Sequence, residues 1–168
     1  MPNDPARESF PRLEISLDQQ TLTLWLENQA EPVTYPISSA LNGAGELNGS
    51  GCTPRGKHYI RAMIGDGQPL NSVFVGRRPT GEILTPELSE QYPQRDWILT
   101  RILWLCGCEP GRNRLGQVDS FRRFIYIHGT PESEPMGIPR SHGCIRMRNH
   151  DVIALFEQVR AGTSVTIT

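Results

Sequence analysis

No stretch of this 168-residue chain is apolar for long enough to cross a bilayer. The longest such run, Ile102-Leu103-Trp104-Leu105-Cys106, falls far short of the roughly 20 residues that a spanning helix needs, so no membrane insertion is expected. An excess of charge is also missing. Lys and Arg total 17 against 18 Asp and Glu, a net charge of −1, and no basic stripe or aromatic-basic platform appears, which argues against nucleic acid as a partner. Cysteine is sparse, at four positions, and Cys106-Gly107-Cys108 lacks the Cys-x-x-Cys spacing of a redox or zinc-knuckle pair. Cys106 and Cys108 are therefore read as small packing hydrophobes. The N-terminal Met1-Pro2-Asn3-Asp4-Pro5-Ala6-Arg7-Glu8 carries no signal-type apolar segment. The expectation is a cytoplasmic chain with reduced thiols, or a periplasmic one if a leader has been removed. Internal repeats, low-complexity tracts and dividing linkers are absent too.

What is plentiful is turn chemistry. Sixteen glycines and 14 prolines favour many short strands over a helical bundle, within one domain large enough to bury a real core. Residues 1–10 read as a flexible tail and 11–168 as a single domain. Leu13, Ile15 and Leu17 alternate with polar residues, Asp18-Gln19-Gln20 makes a turn, and Leu22, Leu24 and Leu26 alternate again, which is a β-hairpin. Residues 33–37 form a strand whose Pro36 suggests an edge or a bulge. Further strands are expected at 58–63, 72–75, 97–105, 124–127 and 164–168. Thr85-Pro86 offers a helix start, so a short helix is placed near 86–91. Val152, Leu155, Phe156 and Val159 recur at helical spacing, giving a C-terminal helix over about 149–161, with Asn149 or Asp151 at its start and Gly162 at its end. The run 38–53 is a loop, either plain or bordering a cleft.

The segment between His128 and Cys144 carries the chemistry. A strand delivers Ile127-His128-Gly129-Thr130, a turn-rich loop with Pro131, Pro135 and Pro139 follows, and Arg140-Ser141-His142-Gly143-Cys144-Ile145-Arg146-Met147 closes it. A lone cysteine is more often core than catalyst. Here the flanking Ser141, His142, Gly143 and Arg146 are poor core formers, so a thiol active site is the better reading. A resting thiol has a pKa of about 8.5 and needs a base, for which imidazole is the usual partner.

The string from Ser141 to Met147, preceded by His128-Gly129, resembles the signature of the L,D-transpeptidase (YkuD-like) catalytic domain. Thr53-Pro54-Arg55-Gly56-Lys57 is similar to that family's Thr-Pro-x-Gly segment. The resemblance implies a mainly β fold, a β-sandwich of mixed sheets with the one C-terminal helix. It implies Cys144 as nucleophile, His128 as base, the Gly129 carbonyl as the group orienting the imidazole, and Gly143 and Cys144 N–H groups as oxyanion donors. Ser141 would order the loop, and His142 would contact substrate. Arg146 stands where the family often has Asn; it and Arg140 could each grip a carboxylate bidentately. The implied substrates are murein stem peptides, cut between meso-diaminopimelate and D-alanine through a thioester. No cofactor or metal is expected. Water as acceptor makes an L,D-carboxypeptidase that trims tetrapeptide to tripeptide in murein recycling, the expectation that a missing export signal favours. An amine acceptor makes a periplasmic transpeptidase forming 3–3 cross-links or exchanging D-amino acids. Two alternatives of other classes are a zinc site on His128, His142 and Cys144, and a non-catalytic wall-binding module.

Overall fold

Period-two burial along the first strands sets the architecture. In the computed structural model, which describes residues 9–168, Leu13 and Ile15 on β1 (Arg12–Ser16) and Leu22 and Leu24 on β2 (Thr21–Trp25) are fully buried while their neighbours face outward. Gln20, at φ 54, closes the tight turn between them. Residues 1–8 of the expected tail lie outside the described residues.

The remaining strands are β3 (Val33–Ser38), β4 (Gly56–Ile64), β5 (Ser72–Val75), β6 (Arg78–Ile83), β7 (Ile98–Gly107), β8 (Tyr126–Gly129), β9 (Ile145–Met147) and β10 (Ser164–Ile167). The helices are α1 (Pro86–Gln91) and α2 (Asn149–Gln158). A mainly β, mixed sheet with two helices matches the sequence reading. The arrangement of strands does not follow a two-sheet sandwich, however. All ten belong to one sheet, ordered β4-β10-β1-β2-β3-β9-β8-β7-β5-β6, and β4 also pairs with β7. Eight strands thus close into a barrel-like ring, with β5 and β6 branching off β7 as a hairpin. The closure depends on β4: its first residues pair with β10 on one edge and β7 on the other, and a bulge between Ile60 and Ala62 bends it round. Closing the ring removes the exposed edges that β4 and β7 would otherwise present.

Pro36 shows how the chain avoids a lost ladder bond. The Ile37 N–H donates to the Gln20 carbonyl, so Thr21 and Pro36 face each other as a non-hydrogen-bonded pair. The proline nitrogen therefore points away from β2, on the side that β9 reaches only from Ile37 onward. β3 is consequently an interior strand, not the edge its proline suggested.

Inside the ring, Ile60, Leu103, Leu105, Ile127 and Ile145 form the core with Val152 and Leu155 of α2. That helix stops at Gln158, short of 161; Gly162 lies beyond it at φ 94, where its N–H donates to the Ile60 carbonyl. Neither Asn149 nor Asp151 caps it, since the N-cap is Arg148 and the Asn149 side chain is turned inward. α1 begins as its sequence suggests, with the Thr85 hydroxyl accepting from the Leu88 N–H at 3.1 Å. Among the described residues no helix is long and apolar enough to cross a membrane.

Candidate active site

Parallel pairing of β8 with β9 folds the long His128–Cys144 interval back on itself. Ile127 lies beside Ile145 and His128 beside Arg146, so Cys144, one residue ahead of β9, arrives next to the β8 strand. Cys144 and His128 both line one cavity of about 300 Å³, walled by Phe74, Ile98, Phe124 and Tyr126. Opposite β8, strand β7 bulges: Leu99 faces Gly129 and Ile102 faces His128, leaving Thr100 and Arg101 unpaired between them. Thr100 sits at φ 73, a strained conformation for a β-branched residue. Its hydroxyl accepts from the Asn71 N–H at 3.1 Å and donates to Asn149 Oδ1 at 2.7 Å, while Asn149 Nδ2 donates to the Thr130 carbonyl at 2.9 Å. Gly129 is packed against this pair. A Cβ there would collide with Asn149 Oδ1 and stand 2.7 Å from the Leu99 carbonyl, so only glycine fits.

The His128 ring is buried, and its Nδ1 lies 2.6 Å from the Gly129 carbonyl. A carbonyl can only accept, so Nδ1 carries the proton and Nε2 of the neutral ring holds a free lone pair. Burial pushes this imidazole below its ordinary pKa, against the opposing pull of the Gly129 carbonyl. Cys144 Sγ donates to the Phe124 carbonyl at 3.3 Å and accepts the Tyr126 N–H at 3.3 Å. Phe124, at φ 58, is in the left-handed region, in the turn that precedes β8. Burial pushes the thiol up to about 12, with the Tyr126 N–H acting against it. At neutral pH the site therefore holds a neutral thiol and a neutral imidazole, and among the described residues no hydrogen bond joins the two side chains.

Two hydroxyls hold the loop around the thiol. Ser141 Oγ donates to the Cys144 carbonyl at 2.6 Å and accepts the Gly143 N–H at 3.1 Å. Thr53 Oγ1 donates to the Gly143 carbonyl at 2.9 Å and accepts the Ala40 N–H at 3.0 Å, so the 38–53 loop buttresses the nucleophile loop, although none of its residues lines the cavity. The Gly143 N–H assigned to an oxyanion is thus already engaged by Ser141. The main-chain N–H aimed at Sγ is that of Tyr126.

The two expected carboxylate-binding arginines are placed differently: Arg146 lines the Cys144 cavity but is engaged by carboxylates of the protein, and Arg140 does not line that cavity. The Arg146 side chain is only 9% exposed, with Nη2 3.2 Å from Asp96 Oδ1 and Nη1 3.5 Å from Glu134 Oε2. Arg140 is exposed and lines an adjoining cleft rather than the Cys144 cavity. His142 is 79% exposed, its Nδ1 3.6 Å from Asp96 Oδ2. Asp96, Arg77 and Arg123 also line the cavity and had no signal in the sequence, since they are single charged residues in turns or irregular segments outside the motif. Arg123 is spent on the carbonyls of Gly45, Glu46 and Cys52. Among the described residues no three His, Cys, Asp or Glu side chains converge as a metal site requires, which leaves the zinc alternative on His128, His142 and Cys144 without a geometric basis.

The family model for the L,D-transpeptidase catalytic domain (YkuD) matches residues 11–167. A probable L,D-transpeptidase of Escherichia coli, YbiS, is 49% identical over 43 residues, 26% of this chain and 14% of that protein. A putative L,D-transpeptidase of Bacillus subtilis, YqjB, is 48% identical over 46 residues, 27% of this chain and 26% of that protein. Among solved structures, the L,D-transpeptidase of Xylanimonas cellulosilytica superposes with a TM-score of 0.54 at 20% identity, covering 98% of this chain and 63% of that one. L,D-transpeptidase 3 of Mycobacterium tuberculosis, in complex with a faropenem-derived adduct, gives a TM-score of 0.56 at 17% identity, covering 94% and 60%. The aligned segments thus span a small part of these curated relatives and under two thirds of the solved chains.

Proposed function

Because the chain belongs to the L,D-transpeptidase catalytic domain family, we propose that it transfers the acyl group of a murein stem peptide onto Cys144 and then to water. The observation that carries the acyl-transfer reading is the disposition of the two neutral side chains on one cavity, with the His128 proton fixed on Nδ1 by Gly129. In the first step Sγ attacks the carbonyl of the third residue while its proton passes to His128 Nε2. The carbon–nitrogen bond then breaks, and the same proton leaves with the D-alanine amine. The thioester carbon is then attacked by water, which gives its proton to Nε2; the C–S bond breaks and the thiol is restored. The Tyr126 N–H is placed to stabilise charge beside the sulfur.

Hydrolysis over amine transfer is supported by the open side of the site. Asp96 lines the Cys144 cavity and Glu134 the adjoining cleft, and both are paired with Arg146. An incoming ammonium group would have to compete with that buried guanidinium, whereas water needs no such partner. Incubation with purified tetrapeptide muropeptide, with and without an added D-amino acid, tests the reading by mass spectrometry. Tripeptide and free D-alanine are expected in both; exchange or dimer products without tripeptide would replace hydrolysis by transpeptidation.

A further inference from the structure

Four arginines approach the active-site loop: Arg123 is held by main-chain carbonyls and Arg146 by Asp96 and Glu134, while Arg140 is exposed and lines the neighbouring cleft, away from the Cys144 cavity. The fourth, Arg77, has no carboxylate within reach among the described residues. It comes from the two-residue turn between β5 and β6, where Val75 pairs with Arg78 and both Gly76 (φ 57) and Arg77 (φ 65) are left-handed. Such a turn matches the twist of its strands and is stiff. The guanidinium is laid over two rings, 4.8 Å from the Trp104 centroid and 5.1 Å from that of Phe124, and Nη1 donates to the Tyr126 hydroxyl at 3.3 Å. Trp104 is itself stacked on Phe121 at 4.0 Å, so the platform is built on an aromatic pair.

Two features make this cation a binding group. First, of the five N–H donors an arginine carries, the protein accepts from one, and Arg77 lines the Cys144 cavity beside the apolar side chains of Phe74, Ile98 and Ile102, where the one carboxylate, Asp96, is already paired with Arg146. A planar fork held on aromatic rings loses little freedom when it takes a carboxylate, and apolar walls strengthen the pair. Second, the residues it leans on are the ones whose main chain touches the nucleophile: the Phe124 carbonyl takes the thiol proton and the Tyr126 N–H points at Sγ. An anion on Arg77 is therefore held close to the reacting carbonyl.

We infer that Arg77 is the carboxylate-binding residue of the acyl-donor site, recognising a free carboxylate on the residue at or next to the scissile bond. This rests on the acyl-transfer reading above and adds its substrate class: an anionic donor peptide rather than a neutral one. Two groups on a stem tetrapeptide have that chemistry, the terminal carboxylate of D-alanine and the side-chain carboxylate of the third residue.

The test compares three donors, the free tetrapeptide, its C-terminal carboxamide and its third-residue side-chain carboxamide, on the full chain and on Arg77→Gln and Arg77→Lys. The parent protein should prefer the free acid over one of the amides by about tenfold to a hundredfold in kcat/KM, the size of one charge-assisted hydrogen bond. Whichever amide is disfavoured identifies the carboxylate. In Arg77→Gln that ratio should fall to near one, and Arg77→Lys should keep part of it. Unchanged iodoacetamide labelling of Cys144 in the variants shows that the site is folded. Calorimetric titration of Cys144→Ala and of the Cys144→Ala, Arg77→Gln double variant with the same peptides reads the preference as binding. The carboxylate site is thus judged even if the parent protein cleaves none of them, which would count against the acyl-transfer reading alone. Equal treatment of acid and both amides by the parent protein, or an acid preference that survives in Arg77→Gln, overturns the inference.

Discussion

Thr100 and Asn149 meet in a buried hydrogen bond, Oγ1 to Oδ1 at 2.7 Å, directly against Gly129. Residues from the β7 bulge and the first turn of α2 thereby brace the carbonyl that orients the His128 ring. Asn149→Ala leaves the Thr100 hydroxyl and the Thr130 carbonyl without their partner, at a cost of about 1–3 kcal/mol. The urea midpoint should fall accordingly, and kcat should drop more than KM changes, because the base loses its fixed tautomer rather than the site its shape. Gly129→Ala should be worse on both counts, since its Cβ has no space beside the Leu99 carbonyl.

The neutral thiol and imidazole make a definite pH signature. With His128 held below its ordinary value of 6.5, the acid limb of kcat/KM should lie below that value. With the thiol near 12, iodoacetamide alkylation should keep climbing through the alkaline range. A thiolate–imidazolium resting pair would instead give alkylation that is already fast and flat at neutral pH.

His58 provides a pH effect on stability that is separate from catalysis. It is buried, with Nδ1 3.0 Å from the Gly56 carbonyl and Nε2 2.8 Å from Ser120 Oγ, and burial lowers its pKa from 6.5. The unfolded chain then binds more protons than the folded one just below that value, so this contribution to stability is complete above 6.5 and is lost as pH falls through the folded pKa. Urea midpoints should decline from about pH 7.5 to about pH 5, and His58→Gln should decline less over the same interval.

Arg146 should govern the choice of acceptor. Arg146→Gln frees Asp96 and Glu134, and loss of this partly enclosed pair should cost about 1–3 kcal/mol, between the exposed and buried limits. If the two carboxylates are what an amine needs, the variant should raise the proportion of D-amino acid exchange relative to tripeptide. Exchange that stays unchanged while stability falls would leave Arg146 with a structural role only.

The parts of this picture that local pattern determines were readable from the chain. Alternation at Leu13, Ile15, Leu22 and Leu24, the helical stripe of α2 and the Thr85-Pro86 start of α1 all appear where the sequence places them. Closure of the sheet was not readable, because it depends on a bulge in β4 and on pairing between β4 and β7, which lie about 40 residues apart. β6 (RPTGEI) has no apolar alternation and is almost wholly exposed, and β9, with three residues, is too short for a period. Around the thiol, Ser141, His142 and Gly143 were legible as a motif, but Asp96, Arg77 and Arg123 are single charged residues in turns or irregular segments whose role comes only from what they face. Arg146 shows the reverse: its place in the motif suggested a ligand, and its two ion pairs give it a structural partner on either side.

A covalent acyl intermediate on Cys144 is the central step of the proposed reaction. Intact-mass spectrometry of the protein, sampled at short times after mixing with stem tetrapeptide and quenched in acid, should show a species heavier by the tripeptidyl acyl group, mapped to Cys144 by peptide digestion. It should be absent in Cys144→Ala and accumulate far more slowly in His128→Gln. Release of D-alanine at an undiminished rate by Cys144→Ala, or an acyl group mapped to another residue, would contradict it.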